Sequence, residues 1–159
     1  MNTSDFLEES RGQLLLALVE ASQGGARGEV PVGAVVGGNT GFILAQGANR
    51  TLEGSDPLGH AEIRALRQAA TRTDNYRLTN ATLAISLEPC AICQAAGVEA
   101  RLGSVQFATF RDPTKVMHQA PISNQTAQAK KPVGLDSSDP LAEACGGMLN
   151  FFFEQRRKT

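Results

Sequence analysis

The sequence has too few cysteines for a disulfide framework and almost no net charge. Three cysteines occur in 159 residues, and two of them form a Cys-x-x-Cys pair. An odd number of cysteines at this spacing favours metal or redox chemistry over disulfide bonds. The formal net charge is −1, so no global basic field indicates a nucleic-acid partner, although a local basic patch can still carry such contacts.

Long apolar runs are also lacking. No stretch approaches the length of a membrane span, and the acidic start, MNTSDFLEES, lacks the basic and then apolar pattern of a signal peptide. These absences predict a cytoplasmic protein with no membrane partner. With 42% hydrophobic and 19% charged residues, the chain suits one globular domain over residues 1–159.

Segments of helical and β-rich spacing alternate along the chain, which predicts an α/β fold with a sheet covered by helices. The predicted helices are one capped by Ser4, one over 57–71 capped by Asp56, a short one over 90–100 and an amphipathic one over 137–158. The predicted strands are a hairpin within 29–50 that turns at Gly37–Gly41, then 81–89, 103–110 and weakly 131–136. Residues 112–136 show no clear period and are predicted to form an irregular loop.

A histidine and a glutamate stand near the start of the second predicted helix, in GHAEIRALRQ over residues 59–68. Alone, His60 and Glu62 are typical of a polar first turn. The segment LEPCAIC over residues 87–93 changes that interpretation. Cys90 and Cys93 are neighbours at i, i+3 on the first turn of a helix, directly after a strand.

Two thiolates and an imidazole at the starts of two helices are suited to binding one metal ion. Helix N-termini stabilise thiolates and favour the neutral form of imidazole. One nitrogen and two sulfur ligands suit tetrahedral Zn²⁺, one ion per chain, with a fourth position open to water as in catalytic sites. His60, Cys90 and Cys93 are therefore the candidate ligands, and Glu62 is the candidate base that moves protons.

His-x-Glu followed by Pro-Cys-x-x-Cys is the signature of zinc-dependent base deaminases. The sequence further resembles the bacterial tRNA adenosine deaminases, which convert the wobble adenosine of the anticodon to inosine. The segments that carry this resemblance are EVPVGAVV, ANR, DPLGHAEIRALRQ, NYRLTNATL, LEPCAIC and the closing LAEACGGMLNFFFEQRRK. The resemblance implies a three-layer α/β/α cytidine deaminase-like fold, with a central mixed five-stranded sheet, and a homodimer.

The resemblance also implies roles for single residues around the signature. It makes His60, Cys90 and Cys93 the zinc ligands and Glu62 the proton carrier. It makes Asn49 a side chain that hydrogen-bonds the target base.

Other residues are weaker candidates for contacts with the substrate. A backbone N–H near Gly59 is a candidate donor to the developing charge, and Phe110 is a candidate to stack on a base, although core packing explains it equally well. Basic residues at the end of the family's last helix contact RNA phosphates. Arg156, Arg157 and Lys158 are therefore candidates to contact the tRNA anticodon arm, or simply to offset the negative end of the helix.

Two alternatives remain open. Residues 113–136 do not match the family, so a deaminase of free nucleobases or nucleosides, such as guanine or cytosine, is the second hypothesis. The third is a non-catalytic, zinc-stabilised interaction module. That module requires a closed site with Cys145 or His118 as the fourth ligand, and it leaves Glu62 without a role.

Overall fold

A computed structural model describes residues 3–111 and 132–158 of the chain, with side chains from residue 8 onward. Its helices are α1 (Thr3–Ala26), α2 (Ala61–Thr73), α3 (Ala91–Glu99) and α4 (Pro140–Arg157). Its strands are β1 (Gly33–Gly37), β2 (Ile43–Ala48), β3 (Thr82–Leu87), β4 (Ser104–Thr109) and β5 (Val133–Gly134).

The five strands form one mixed sheet in the order β2-β1-β3-β4-β5. β1 pairs antiparallel with β2 and with β3, whereas β4 runs parallel to β3 and to β5. The carboxyl end of β3 therefore lies at the same edge of the sheet as the carboxyl end of β2. The predicted mixed five-stranded sheet is confirmed, and so is the short last strand.

Helices cover both faces of the sheet. Alternate residues of each strand point to opposite faces, and the two sets of residues pack in different clusters. Leu83, Ile85 and Phe107 pack in a cluster with apolar residues of α2. Ala84 and Ala108 belong to a second cluster, with residues of α1 and α4. The predicted α/β architecture with helices on both sides is confirmed.

A glycine allows α1 to lie close against the sheet. A Cβ atom on Gly33 of β1 would stand 2.0 Å from the carbonyl oxygen of Ala17 in α1. The predicted hairpin is confirmed as well. The N–H of Gly38 donates to the carbonyl oxygen of Phe42 over 2.8 Å, and Gly41 takes a φ of +78° that favours glycine.

The prediction for the start of the second helix was wrong. α2 begins at Ala61 and not at Pro57, because residues 50–59 form a closed loop. Asp56 accepts a hydrogen bond from the N–H of Leu58 over 2.9 Å, so it stabilises a turn in this loop and does not cap the helix. His60 takes the cap position, with extended backbone angles and no capping hydrogen bond from its side chain.

The other helices follow the predicted patterns with small shifts. Ser4 lies inside α1 and not before it, and Asp139 caps α4 by accepting from the N–H of Leu141 over 2.8 Å. Leu141 and Cys145 are buried as the apolar stripe of α4 predicted, but Leu149 is buried more deeply than Met148. Among the helices of the described residues, none has the length and apolar character that a membrane span needs.

Candidate metal centre

The starts of two helices meet at the edge of the sheet where β3 ends. His60 is the N-cap residue of α2, and Cys90, three residues after β3, is the N-cap residue of α3. Neither side chain makes a capping hydrogen bond at the start of its own helix. Cys93 lies in the first turn of α3. The free N–H groups and positive dipole ends of both helices point toward this place.

The three predicted ligands lie together. The Nδ1 atom of His60 is 3.6 Å from the sulfur of Cys90 and 3.4 Å from the sulfur of Cys93. A tetrahedral zinc ion, with Zn–N of about 2.0–2.1 Å and Zn–S of about 2.3 Å, holds a nitrogen and a sulfur ligand about 3.5 Å apart. Both the spacing and the donor set therefore fit zinc. Within residues 3–111 and 132–158, no other group of three or more potential metal-binding side chains is found.

The cluster is closed toward the core and open toward solvent. Cys93 is completely buried, whereas His60 and Cys90 are half-buried. A hydrogen bond from the Cys93 thiol lowers the pKa of Cys90 to about 4. The same bond, with burial and the nearby Glu62, raises the pKa of Cys93. Because cysteine binds a metal as the thiolate, a cation that binds here would displace the thiol protons.

Glu62 lies beside the three ligands but is not one of them. Its side chain is 2% exposed and lies next to the side chain of Cys93. Burial raises the pKa of the Glu62 carboxyl, an effect only partly offset by hydrogen bonds. A carboxyl group with a raised pKa, next to a metal site and outside its ligand set, suits proton transfer near neutral pH.

Asn49 is connected to the same helix start. Its side-chain oxygen accepts a hydrogen bond of 2.9 Å from the N–H of Ala61, the residue after His60. Asn49 therefore provides the capping bond that the side chain of His60 does not make. An amide side chain that accepts through its oxygen keeps its NH₂ group as a donor.

Gly59 and Phe110, the other predicted substrate contacts, make contacts within the protein that the sequence did not indicate. Gly59 donates its N–H to the carbonyl oxygen of Asp56 over 3.0 Å, so this N–H is already used within the loop. Phe110 is 40% exposed. Its ring meets that of Phe107 edge-on, with centroids 4.9 Å apart. Phe110 thus has one side on the core and one in solvent.

The basic residues predicted to contact RNA differ in their surroundings. The guanidinium of Arg156 donates to the carbonyl oxygen of Gly28 over 2.7 Å and lies 4.7 Å from the ring centroid of Phe152. It therefore fastens the end of α4 to the turn after α1. Arg157 and Lys158 are exposed at the end of α4.

Cys145, one of the two proposed fourth ligands of a closed site, does not lie at the metal centre. Cys145 is 2% exposed in the cluster between the sheet and α1 and α4, where burial raises the pKa of its thiol to about 11. It is not part of the group formed by His60, Cys90 and Cys93. His118, the other candidate, lies outside the described residues.

One residue near the site was missed by sequence reasoning. Glu29 is 1% exposed, and its carboxylate accepts hydrogen bonds from the N–H groups of Thr51, Leu52 and Glu53. These partners lie 22 to 24 residues further along the chain, so no local pattern connects them with Glu29. The only available signal was a charged residue directly before the mainly apolar residues 30–36, which lead into β1.

Comparisons with known proteins agree with this geometry. Residues 8–109 match the family described as cytidine and deoxycytidylate deaminase zinc-binding region. The chain is 35% identical over 155 residues to the tRNA-specific adenosine deaminase of Haemophilus influenzae, covering 89% of this chain and 82% of that protein.

Two solved structures share the fold. One, from a study of A-to-I editing by tRNA:A34 deaminases at the wobble position, is 33% identical with a TM-score of 0.70, over 79% of this chain and 98% of that one. The other, guanine deaminase from Bacillus subtilis, is 33% identical with a TM-score of 0.60, over 69% of this chain and 66% of that one.

Proposed function

Because the chain belongs to the cytidine and deoxycytidylate deaminase zinc-binding family, and is a zinc-dependent nucleobase deaminase, we propose that its substrate is the wobble adenosine of a tRNA. The deaminase chemistry rests on the cluster of His60, Cys90 and Cys93, with the buried carboxyl group of Glu62 beside it, and the choice of tRNA rests on the similarity to tRNA-specific adenosine deaminases along most of the chain. The reaction replaces the amino group of the base with oxygen from water and releases ammonia.

In the proposed site, zinc is bound by the Nδ1 atom of His60 and the sulfurs of Cys90 and Cys93. The metal, when bound, supplies a Lewis acid that activates water for attack on the base. The chain contributes two helix starts that place these ligands and a core-facing side that excludes bulk water, since Cys93 is completely buried.

Glu62 moves the protons in the proposed reaction. Its carboxylate takes one proton from the attacking water and delivers it to N1 of adenine as the new C–O bond forms at C6. A second proton then passes from the added hydroxyl group to the amino nitrogen, the C6–N6 bond breaks, and ammonia leaves. Burial of Glu62 favours this role, because it raises the pKa of the carboxyl group and so makes its carboxylate a stronger base.

Asn49 and Phe110 are the proposed contacts with the base itself. The oxygen of Asn49 is held by the N–H of Ala61, which directs its amide nitrogen toward an acceptor atom of the substrate. Phe110 presents one exposed side of its ring, on which a base can stack. Gly59 acts through the loop it closes, since its N–H is already bonded.

Support for a tRNA substrate comes from the extent of the similarity. The tRNA-specific adenosine deaminase of H. influenzae matches 89% of this chain, which is more than the metal site alone requires. Arg157 and Lys158 are exposed at the end of α4 and can meet phosphates of the anticodon arm. We propose further that the protein is a single domain over residues 1–159, acts as a homodimer and resides in the cytoplasm.

Deamination of a free base is the second candidate function. The likeness to a guanine deaminase at 33% identity favours it, as does the net charge of −1. A closed, non-catalytic zinc module has less support, because Cys145 lies in the cluster with α1 and α4 and such a module gives the buried carboxyl group of Glu62 no role.

The test is to incubate the zinc-loaded protein with an anticodon stem–loop carrying adenosine at the wobble position, and separately with adenine, guanine and cytosine, while measuring ammonia. Ammonia from the stem–loop, with inosine in the RNA and none from the free bases, supports the tRNA proposal. Ammonia from a free base alone supports the second candidate. Glu62→Gln is the control, since it must abolish whichever activity is found.

A further inference from the structure

The carboxylate of Glu29 is buried in the centre of a loop that adjoins the metal site. It is 1% exposed, and one of its oxygens accepts from the N–H groups of Leu52 and Glu53 over 3.0 and 2.8 Å. The other accepts from those of Thr51 and Leu52 over 3.1 Å each. Both carboxylate oxygens are thus occupied by backbone N–H groups. A buried charge is tolerated when it is hydrogen-bonded in this way.

The loop that Glu29 fills is closed at its base. The N–H of Arg50 donates to the carbonyl oxygen of Gly59 over 2.8 Å, so residues 50–59 form a ring with both ends together. Asn49 directly precedes this ring and His60 directly follows it. A displacement of the loop therefore moves the residue that caps α2 and a metal ligand at the same time.

We propose that Glu29 is a positioning residue for the deamination reaction. By bonding three consecutive N–H groups, it holds loop 50–59 in one conformation, and through the ends of the loop it holds Asn49 and His60 in place. This inference rests on the proposed function and extends it to a residue that touches neither the metal site nor the substrate.

The same loop offers a matched control. Glu53 forms an ion pair with Arg50 over 2.8 Å and a longer one with Arg27 over 3.8 Å, and its side chain is 43% exposed. Such exposed pairs contribute little. The changes Glu29→Gln and Glu53→Gln each remove one negative charge next to loop 50–59, the first from the carboxylate buried inside the loop and the second from the surface of the loop.

Glu29→Gln places an amide NH₂ group against the N–H of Leu52 and that of either Thr51 or Glu53, so contacts between donors replace two of the four hydrogen bonds. We expect amide hydrogen exchange at residues 51–53 to become about tenfold faster or more, because the loop loses half of the bonds that hold these N–H groups. Zinc affinity, measured by competition with a chelator, and kcat on the anticodon stem–loop should each fall about 10- to 100-fold, as for other groups that support metal ligands. Glu53→Gln should change each value by no more than about twofold.

Two further measurements separate positioning from general stability. Amide hydrogen exchange in α1 and α4 should stay at the wild-type rate in Glu29→Gln. The factor by which kcat falls should also exceed the factor by which KM rises. If Glu29→Gln does not fold, the same measurements are made on Glu29→Asp, which keeps the charge but shortens the side chain by one methylene. That variant should show the same changes to a smaller degree.

The proposal is overturned if the amide hydrogens of residues 51–53 exchange at the wild-type rate in the folded variant. It is also overturned if zinc affinity and kcat match those of Glu53→Gln. Exchange and zinc affinity do not depend on the substrate. If the wild-type protein leaves the stem–loop unchanged, the proposed function fails, whereas these two measurements still decide the role of Glu29.

Discussion

The side-chain oxygen of Asn49 accepts a hydrogen bond of 2.9 Å from the backbone N–H of Ala61, which connects the end of β2 to the start of α2. This bond replaces the cap that His60 does not make for its own helix. The imidazole is thereby free to face the two cysteine sulfurs, and the amide nitrogen of Asn49 is free to face a substrate. A single side chain thus fixes the start of the helix and, in the proposed function, also contacts the base.

The two functions of Asn49 can be separated by substitution. Asn49→Asp keeps an acceptor for the N–H of Ala61, and aspartate caps helices about as well as asparagine, so the melting temperature should stay near that of the wild type. The donor to the base is lost, and kcat/KM should fall about tenfold or more, the effect of one hydrogen bond of about 1.4 kcal/mol.

Asn49→Ala is the companion variant, because it removes both groups. It should lose about 1 kcal/mol of folding stability in addition to the loss of activity. Equal kcat/KM in the wild type and in Asn49→Asp contradicts the assignment of the amide nitrogen to the base.

Cys90→Ser and Cys93→Ser should each remove the bound zinc and lower stability. The metal connects the starts of α2 and α3, and structural zinc sites are worth about 10 kcal/mol or more at neutral pH. We therefore expect a loss of several kcal/mol, measured by chemical unfolding, together with metal analysis. A metal-free protein with full stability contradicts this expectation.

Cys145→Ser should leave one zinc per chain, because Cys145 lies in the cluster with α1 and α4 and not at the metal site. It serves as the matched control for the two ligand variants, with the same change of sulfur to oxygen at a buried site. Metal analysis and thermal unfolding check it. Loss of zinc in this variant supports the closed, non-catalytic site instead.

Glu62→Gln should keep zinc and fold but lose deamination. The amide has nearly the shape of the carboxyl group and cannot carry a proton, and each general acid–base step contributes about 10²- to 10⁴-fold to the rate. The single-turnover rate on the preferred substrate is the measurement, with zinc content determined on the same sample. Zinc content that falls in step with the rate shows that Glu62 is a ligand.

Substitutions of the basic residues at the end of α4 should have two different effects, one on RNA binding and one on stability. Arg157→Ala with Lys158→Ala should weaken binding to the stem–loop and reduce the slope of log affinity against log salt by about one unit per lost phosphate contact. Arg156→Ala should mainly lower the melting temperature, because Arg156 donates to Gly28 and lies over Phe152. Binding that does not respond to salt rules out the phosphate contacts and favours the free-base candidate.

The metal centre was predictable from the sequence because each part of it is encoded locally. His60 and Glu62 stand two residues apart, Cys90 and Cys93 three apart, and each pair occupies the start of one helix. The strand and helix patterns that carry the pairs are also local, since they arise from the spacing of apolar residues. The fold class, the ligand set and the deaminase chemistry therefore required only short segments of the chain.

Tertiary structure alone decided the parts that depend on partners distant along the chain. Glu29 bonds N–H groups more than 20 residues away, Asn49 caps a helix that begins 12 residues later, and Arg156 reaches a carbonyl group 128 residues earlier. The start of α2 also depends on tertiary structure, because the loop filled by Glu29 occupies residues that the sequence predicts as helix. Helical and strand periods report which face of an element is buried, but they carry no information about which buried polar group meets which backbone N–H. Only the packing of the folded chain makes that choice.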